Sequence, residues 1–481
     1  MKLGLLLVLL LSFVGFSHAD DLCVQNEEGF HSLVFSSDRY HNGLEYLEFG
    51  AAHDLITATA TCVLSADGIL DHPIILVESV DISQIINDVN MTWAHTLALV
   101  NGEDPFSGNG PVSSALMQGA DFIIIDFTEP LLPIQNQAYL IESVINQVNS
   151  ENDSSSQNVV VGLSQGGLTA KYALMNMESR NIEHNTSHFI SYDTPHVCAH
   201  MSNGIILSSI LAASSKPVLQ GMVNFLFSMP ARQMYCDFPF VGENKLFGEF
   251  EYSSQFKDQL DLEFEQFNFD RLPSNTVNVA ISNGSLLAKR LDTLIGEPLI
   301  EISDSPFKFR VNSCDPLDAE PGGYFDWGVY LNSSHFGVTE PVKFKPMSYV
   351  PVWSAVSTSV DFKESTPSLN DVRNQSAFDY IFFPKDGENH SFLTMLSEHV
   401  EIITTIALTG DVPLISYEQS PSSQPIGSLS WPTSCDDVPE VEEPEELQEE
   451  EKGSFNFLII LTFIIMIVSR INLGRKKYIT V

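Results

Sequence analysis

Asn158-Val159-Val160-Val161-Gly162-Leu163-Ser164-Gln165-Gly166-Gly167-Leu168-Thr169-Ala170-Lys171-Tyr172-Ala173-Leu174 says more about architecture than any other segment of the chain. β-Branched residues run into Gly-x-Ser-x-Gly. A segment with helical spacing follows, its apolar positions being Leu168, Tyr172, Ala173 and Leu174. Strand, sharp turn and helix form the setting in which a serine is held in a strained backbone conformation at a helix N-terminus. Such a turn needs small neighbours, and Gly162 and Gly166 supply them. The unpaired N–H groups of the helix favour negative charge developing there. The competing reading is an ordinary Gly-rich strand-to-helix turn in another α/β protein.

The segments around this one alternate in the same way. Pro73 to Asp81 and Ala120 to Phe127 are continuous apolar runs, as buried parallel strands are. Asn136 to Val148 places Leu140, Ile141, Val144, Ile145 and Val148 on one helical face. Ser187 to His196, Val277 to Ser285, Tyr349 to Val356 and Phe378 to Phe383 read as further strands, and Leu393 to Leu408 as a closing helix. Strands alternating with helices predict a central, mostly parallel sheet with helices on both faces. Leu33–Phe35, Leu44–Phe49 and Leu55–Val63 predict an antiparallel start to that sheet. Met201 to Met229 is strongly apolar, which suits helices and predicts a lid insertion at about 197–275. A polar, β-leaning insertion is expected at about 287–345.

The ends of the chain read differently. Lys2, the apolar run Leu3–Phe16 and Ser17-His18-Ala19 predict a signal peptide over 1–19, leaving a domain over 20–410. A Ser/Pro-rich and then acidic stalk follows at 411–454. The apolar stretch 455–473 predicts a single transmembrane segment, and the basic residues at 474–481 a short cytoplasmic tail. This topology puts the domain in the secretory pathway, at the cell surface or in an endomembrane lumen. The six cysteines permit up to three disulfides in such a compartment and show no metal-ligand spacing. Glycosylation sequons stand at Asn90, Asn152, Asn185, Asn283, Asn332, Asn374 and Asn389. The net charge of −39 argues against nucleic acid as a partner.

Acyl transfer on a serine needs a base to take its proton and a carboxylate to orient the base. His390, in a loop past the last strand, is the candidate base. His399 falls in the closing helix and is expected to be exposed. Gln165 N–H and Val80 N–H are the candidate oxyanion donors.

The chain resembles an α/β-hydrolase of the lipase/esterase type. It is closest in character to uncharacterised secreted hydrolases related to the GPI inositol deacylases. The likeness covers roughly residues 70 to 405. It is carried by Ile74–Glu78, Gly162–Tyr172, Tyr192–His196, Pro230-Ala231-Arg232-Gln233-Met234, Val279–Ser285, Val350–Ala355, Phe378-Asp379 and Asn389-His390. The resemblance implies Ser164 as nucleophile and His390 as general base, with no metal or organic cofactor. The chain departs from the family at the acid: Met347-Ser348 stand where many lipases carry Asp-Gly. Asp193, at the end of the strand after the nucleophile helix, and Asp379, before His390, are the replacements, with Asp361 behind them. His196 reads as structural. The implied substrate is a hydrophobic ester or thioester, lipids included. A catalytically inactive hydrolase-fold ectodomain used for binding or adhesion, and a GPI-lipid deacylase, are the alternatives.

Overall fold

The computed structural model describes residues 22–23, 30–37, 56–80, 96, 110–152, 154, 156–202, 205–206, 209, 213, 220–236, 254–268, 271–284, 298–302, 309–312, 322–325, 333, 341–358, 369–384 and 397–413. The expected signal peptide, the strand at Leu44–Phe49, Asp361, His390, the stalk and the transmembrane stretch lie outside them, as do Cys314 and Cys435. Among the described residues no helix is long and apolar enough to cross a membrane.

The chain opens with β1 (Phe30–Ser37), β2 (Ile56–Val63) and β3 (Pro73–Val77). Then come α1 (Pro111–Gln118), β4 (Asp121–Phe127), α2 (Ile134–Glu151), β5 (Asn158–Leu163), α3 (Gln165–Ser179) and β6 (Thr186–Tyr192). Three helices follow, α4 (Gln220–Leu226), α5 (Met229–Met234) and α6 (Ser254–Phe267), and then β7 (Val277–Ile281). Next are β8 (Pro298–Ile302), β9 (Phe309–Asn312), β10 (Gly322–Phe325), β11 (Lys343–Phe344) and β12 (Met347–Pro351). The chain closes with α7 (Val352–Ala355), α8 (Leu369–Gln375), β13 (Tyr380–Phe382) and α9 (Ser397–Thr409).

An eight-stranded sheet in the order β1-β2-β4-β3-β5-β6-β7-β13 forms the centre. Only β2 runs against the rest: it pairs antiparallel with β1 and β4, and every junction from β4 to β13 is parallel. The strands between β4 and β7 are buried on both faces, which is why they read as unbroken apolar runs. One face packs α1 and α9 over Ile74, Ile124, Val161, Ile190 and Ile281. The other packs α2 and α3 over Ile75, Ile123, Val160 and Phe189. Outside the central sheet, β10-β12 and β11-β8-β9 form two small antiparallel sheets, and β12 lies beyond the bounds expected for the β-leaning insertion. Within the apolar stretch at 201–229, Met201, Ile205, Ile206, Met222, Phe225 and Leu226 belong to the larger core.

Two disulfides form, Cys23–Cys62 and Cys198–Cys236. The first holds the start of the expected mature chain to β2. The Glu151 carboxylate secures the same point by accepting the Leu22 and Cys23 N–H groups at 2.6 and 2.7 Å. Asn283 is fully buried, so its sequon is closed to a glycan in the folded protein, whereas Asn374 is exposed.

A polar relay is sealed between the sheet and α3. His196 Nε2 meets the Ser191 hydroxyl at 2.6 Å and Nδ1 faces Lys171 Nζ at 3.4 Å. The ammonium also lies 3.8 Å from the Phe264 ring centre. His196 thus has the structural place expected of it, and burial pushes its pKa well down, with the Lys171 charge adding to the effect. Burial likewise pushes Lys171 down to about 7, against the pull of Asp261. From pH 7 up to the ordinary lysine value the unfolded chain therefore holds a proton that the folded chain has released. Stability should rise with pH by up to about 1.4 kcal/mol per unit across that window and level off below it. Lys171→Met should remove the slope. Urea unfolding of both proteins at neutral pH and at about pH 9.5 reads it, and parallel pH dependences would mean that Lys171 keeps its proton when buried.

Candidate active site

Ser164 has φ 49° and ψ −119°, a backbone conformation that a side chain adopts only under strain. It follows directly on β5 and caps α3, whose first residue is Gln165. Its own N–H donates to Tyr192 O at 2.9 Å, while its carbonyl accepts from Gly167 N at 3.0 Å. The turn is tied to the end of β6 on one side and to its own helix on the other. Ser164 is 4% exposed, so only a narrow approach reaches it.

Three glycines make this geometry possible. A Cβ on Gly162 would stand 2.3 Å from Gly167 Cα, and one on Gly167 would meet Thr194 Oγ1 at 1.9 Å. A Cβ on Gly166 would meet Glu78 O at 2.2 Å and Val77 O at 2.5 Å, so the first turn of α3 lies directly on the end of β3. The chain leaving that strand end leads to Val80, which is half-buried against the core. Gln165 N–H, in the first turn, has no partner within the helix. The two candidate oxyanion donors therefore flank one contact. The Gln165 side chain is buried and donates to Gln137 Oε1 at 3.1 Å. The Glu78 carboxylate accepts Phe127 N–H at 2.6 Å and locks the ends of β3 and β4 together.

Asp193 stands one residue past β6, at the sheet edge that carries Ser164. It is fully buried and has φ 45°. Its N–H donates to Ile281 O at 2.7 Å, and its Oδ1 accepts Asn283 N–H at 2.9 Å. Gly323 leaves room for Oδ2, which a Cβ there would meet at 2.0 Å. Asp379 is placed otherwise. It precedes β13, which runs parallel to β7, so it sits at the opposite edge of the sheet. It is exposed, and its Oδ2 accepts Asn278 N–H at 2.8 Å. This removes Asp379 as a triad acid. An aspartate flanking a short strand can lie at either end of the sheet, and here the register puts it at the end away from Ser164.

His399 is also corrected. It is 2% exposed rather than solvated, because it shares the sheet-facing side of α9 with Val400, Ile402, Ile403 and Ile406. Its Nδ1 meets the Tyr192 hydroxyl at 3.1 Å, and burial pushes it down to about 4. The chain that carries His390 leaves the sheet after β13 at the Ser164 edge, where Phe382 O accepts from Ser282 N at 3.0 Å. Among the described residues no cluster of His, Cys, Asp or Glu could hold a metal ion.

A sheet in the order 1-2-4-3-5-6-7-8 with its second strand reversed, and with a strained serine between the fifth strand and the following helix, settles the architecture. The chain has the α/β-hydrolase fold. No family model and no curated protein matches it. Among solved structures it is similar to the peroxisomal alpha-beta-hydrolase Lpx1 of Saccharomyces cerevisiae, at 9% identity and TM-score 0.36 over 80% of this chain and 91% of that one. It is also similar to the lipase BlEst2 of Bacillus licheniformis in propeptide form, at 15% identity and TM-score 0.26 over 48% of this chain and 38% of that one. A third is a fungal esterase of Rhizomucor miehei, at 9% identity and TM-score 0.27 over 52% of this chain and 66% of that one. The chain thus spans well under half of the propeptide-form lipase.

The glycine contacts around the α/β-hydrolase elbow have a measurable cost. Gly166→Ala drives a methyl group into the Glu78 carbonyl and should lower stability by about 3 kcal/mol. Gly410→Ala tests backbone strain alone, because Gly410 has φ +71° with nothing within 4 Å of the added Cβ, and should cost about 1 kcal/mol. Urea unfolding compares the two. Equal losses would show that the elbow relaxes around the methyl group.

Proposed function

We propose that the protein is a serine hydrolase that cleaves a carboxylic ester or thioester through an acyl-enzyme on Ser164. The observation that carries this reading is the strained Ser164 at the head of α3, at the same sheet edge as the buried Asp193. In this reading His390 takes the Ser164 proton, and Asp193 orients the imidazole and stabilises its charged form. The Ser164 oxygen attacks the carbonyl carbon while the N–H groups of Gln165 and Val80 receive the oxyanion. The imidazolium returns its proton to the leaving alcohol or thiol. A water activated by the same imidazole then releases the acid and restores the serine. The apolar stretch at 201–229 in the sequence is what favours an acyl chain as the substrate's anchor.

The two disulfides favour an oxidising compartment and, with the N-terminal apolar run, a place in the secretory pathway. The apolar stretch 455–473 is the proposed anchor that holds the domain on the lumenal or extracellular side. Nothing in the fold favours GPI lipids over other esters.

A fluorophosphonate probe should label Ser164 in the folded protein and leave Ser164→Ala unlabelled, as read by peptide mapping. A folded protein that takes no label would sink the hydrolase reading in favour of a binding module. Asp193→Asn should lower kcat by roughly a thousandfold or more, as expected when the orienting carboxylate is lost. Asp379→Asn should stay within about twofold of the parent. Comparable losses in both variants would remove Asp193 from its assigned role.

A further inference from the structure

Arg232 is an anomaly among the buried groups. It lies in α5, is 7% exposed, and has no carboxylate partner among the described residues. Its only ring contact there is Phe256, whose centre lies 5.7 Å from the guanidinium carbon. Burial lowers its pKa from the usual arginine value. A guanidinium presents five donors in a planar fork, and holding it this far from water without an acceptor is costly unless something else supplies one.

The position of Arg232 follows from two independent sets of contacts. The first runs along α6. The Glu178 carboxylate, near the end of α3, accepts Ser274 and Asn275 N–H at 2.9 and 2.8 Å, just beyond the end of α6. Tyr172, midway along α3, meets Phe264 and Phe267 edge-on at 5.9 and 5.2 Å. α6 therefore packs against the middle of α3, and Phe256, under the guanidinium, lies about two turns from Phe264 towards the start of α6. The second set runs through α2. Gln233, next to Arg232, accepts Ile134 N–H at 3.0 Å and donates to Gln135 Oε1 at 2.8 Å. One turn further along, Gln137 accepts from Gln165, the neighbour of Ser164.

We propose that Arg232 is a substrate-binding residue that receives an anionic oxygen group, carboxylate or phosphate, on the ester that Ser164 cleaves. The inference rests on the hydrolase reading for its reaction, and on the geometry of Arg232 alone for the anion. The preferred substrate is then an amphiphile with an apolar chain and one negatively charged end. The fork of the guanidinium suits either anion bidentately.

The test compares 4-nitrophenyl esters whose acyl chains end in carboxylate with methyl-ended chains of equal length. A parallel arm compares an acyl glycerol phosphate with the matching monoacylglycerol. The full-length protein should prefer the charged member of at least one pair. Arg232→Met should reduce the kcat/KM ratio of charged to neutral substrate by roughly tenfold to a hundredfold, and Arg232→Lys by less. Because both substrates see the same active enzyme, the ratio does not depend on the folded fraction. The arm in which the ratio falls identifies the anion and the side of the ester that bears it. A ratio within twofold of the parent in both arms overturns the proposal. Calorimetric binding of the same charged compounds to Ser164→Ala, with and without Arg232→Met, reads the contact without turnover. Equal affinities there also overturn it, whereas binding that depends on Arg232 in a protein that takes no probe at Ser164 upholds the anion site and removes only the hydrolase reading.

Discussion

The closeness with which α3 approaches the sheet is the constraint on which the rest of the structure depends. Gly162, Gly166 and Gly167 stand where any side chain would overlap backbone or Thr194, and Ser164 takes up the resulting strain in its own φ and ψ. With the turn drawn in this far, the helix axis has little freedom. Tyr172 then presents its ring to Phe264 and Phe267, and Asn176 donates to Glu142 of α2 at 2.6 Å. The positions of α2 and α6 are thus consequences of the elbow as much as of their own apolar faces. Strain at one residue is tolerated because the surrounding packing over-determines it.

This explains which parts of the molecule the sequence exposes. β3, β4 and β5 are covered on both faces, so burial leaves continuous apolar runs that cannot be mistaken for loops. The Gly-x-Ser-x-Gly turn is visible because backbone proximity selects glycine position by position. Direction and depth are less legible. Asp193 and Asp379 each flank an apolar run, and only the pairing of β13 with β7 separates the sheet edge that carries Ser164 from the far one. The burial of His399 follows from the rotation of α9 about its axis, which a single polar residue in an apolar helix does not reveal. The order 1-2-4-3 at the start of the sheet depends on a crossover whose partners are chosen in three dimensions. Arg232 stands in one of the stretches that carry the family resemblance, yet its sequence surroundings do not mark it as buried. A cation in a six-residue helix reads as solvated, and only its 7% exposure in the folded chain shows otherwise.

The electrostatics of the chain give that buried cation its significance. With a net charge of −39, the surface as a whole repels anions, so attraction to a negatively charged ligand has to be local and short-ranged. A guanidinium set in a low-dielectric crevice meets that condition, because burial strengthens its field at contact distance while the surrounding carboxylates are screened by solvent.

The neutral amides next to it decide where the field points. Gln137 Nε2 donates to Pro130 O and Leu132 O, both at 2.9 Å, while its carbonyl oxygen takes the Gln165 amide. Gln233 holds Ile134 N–H and Gln135. Hydrogen bonds of this kind carry no net charge. They fix α5 on the first turn of α2, and the first turn of α2 on the elbow, and the Glu263 carboxylate joins the network by accepting from Gln135 Nε2 at 3.0 Å. A carboxylate at 233 would still accept Ile134 N–H but could not donate to Gln135, and one at 137 would lose both carbonyl contacts. Amide side chains at these positions thus attach α5 to the elbow through donor and acceptor together, which a carboxylate cannot do.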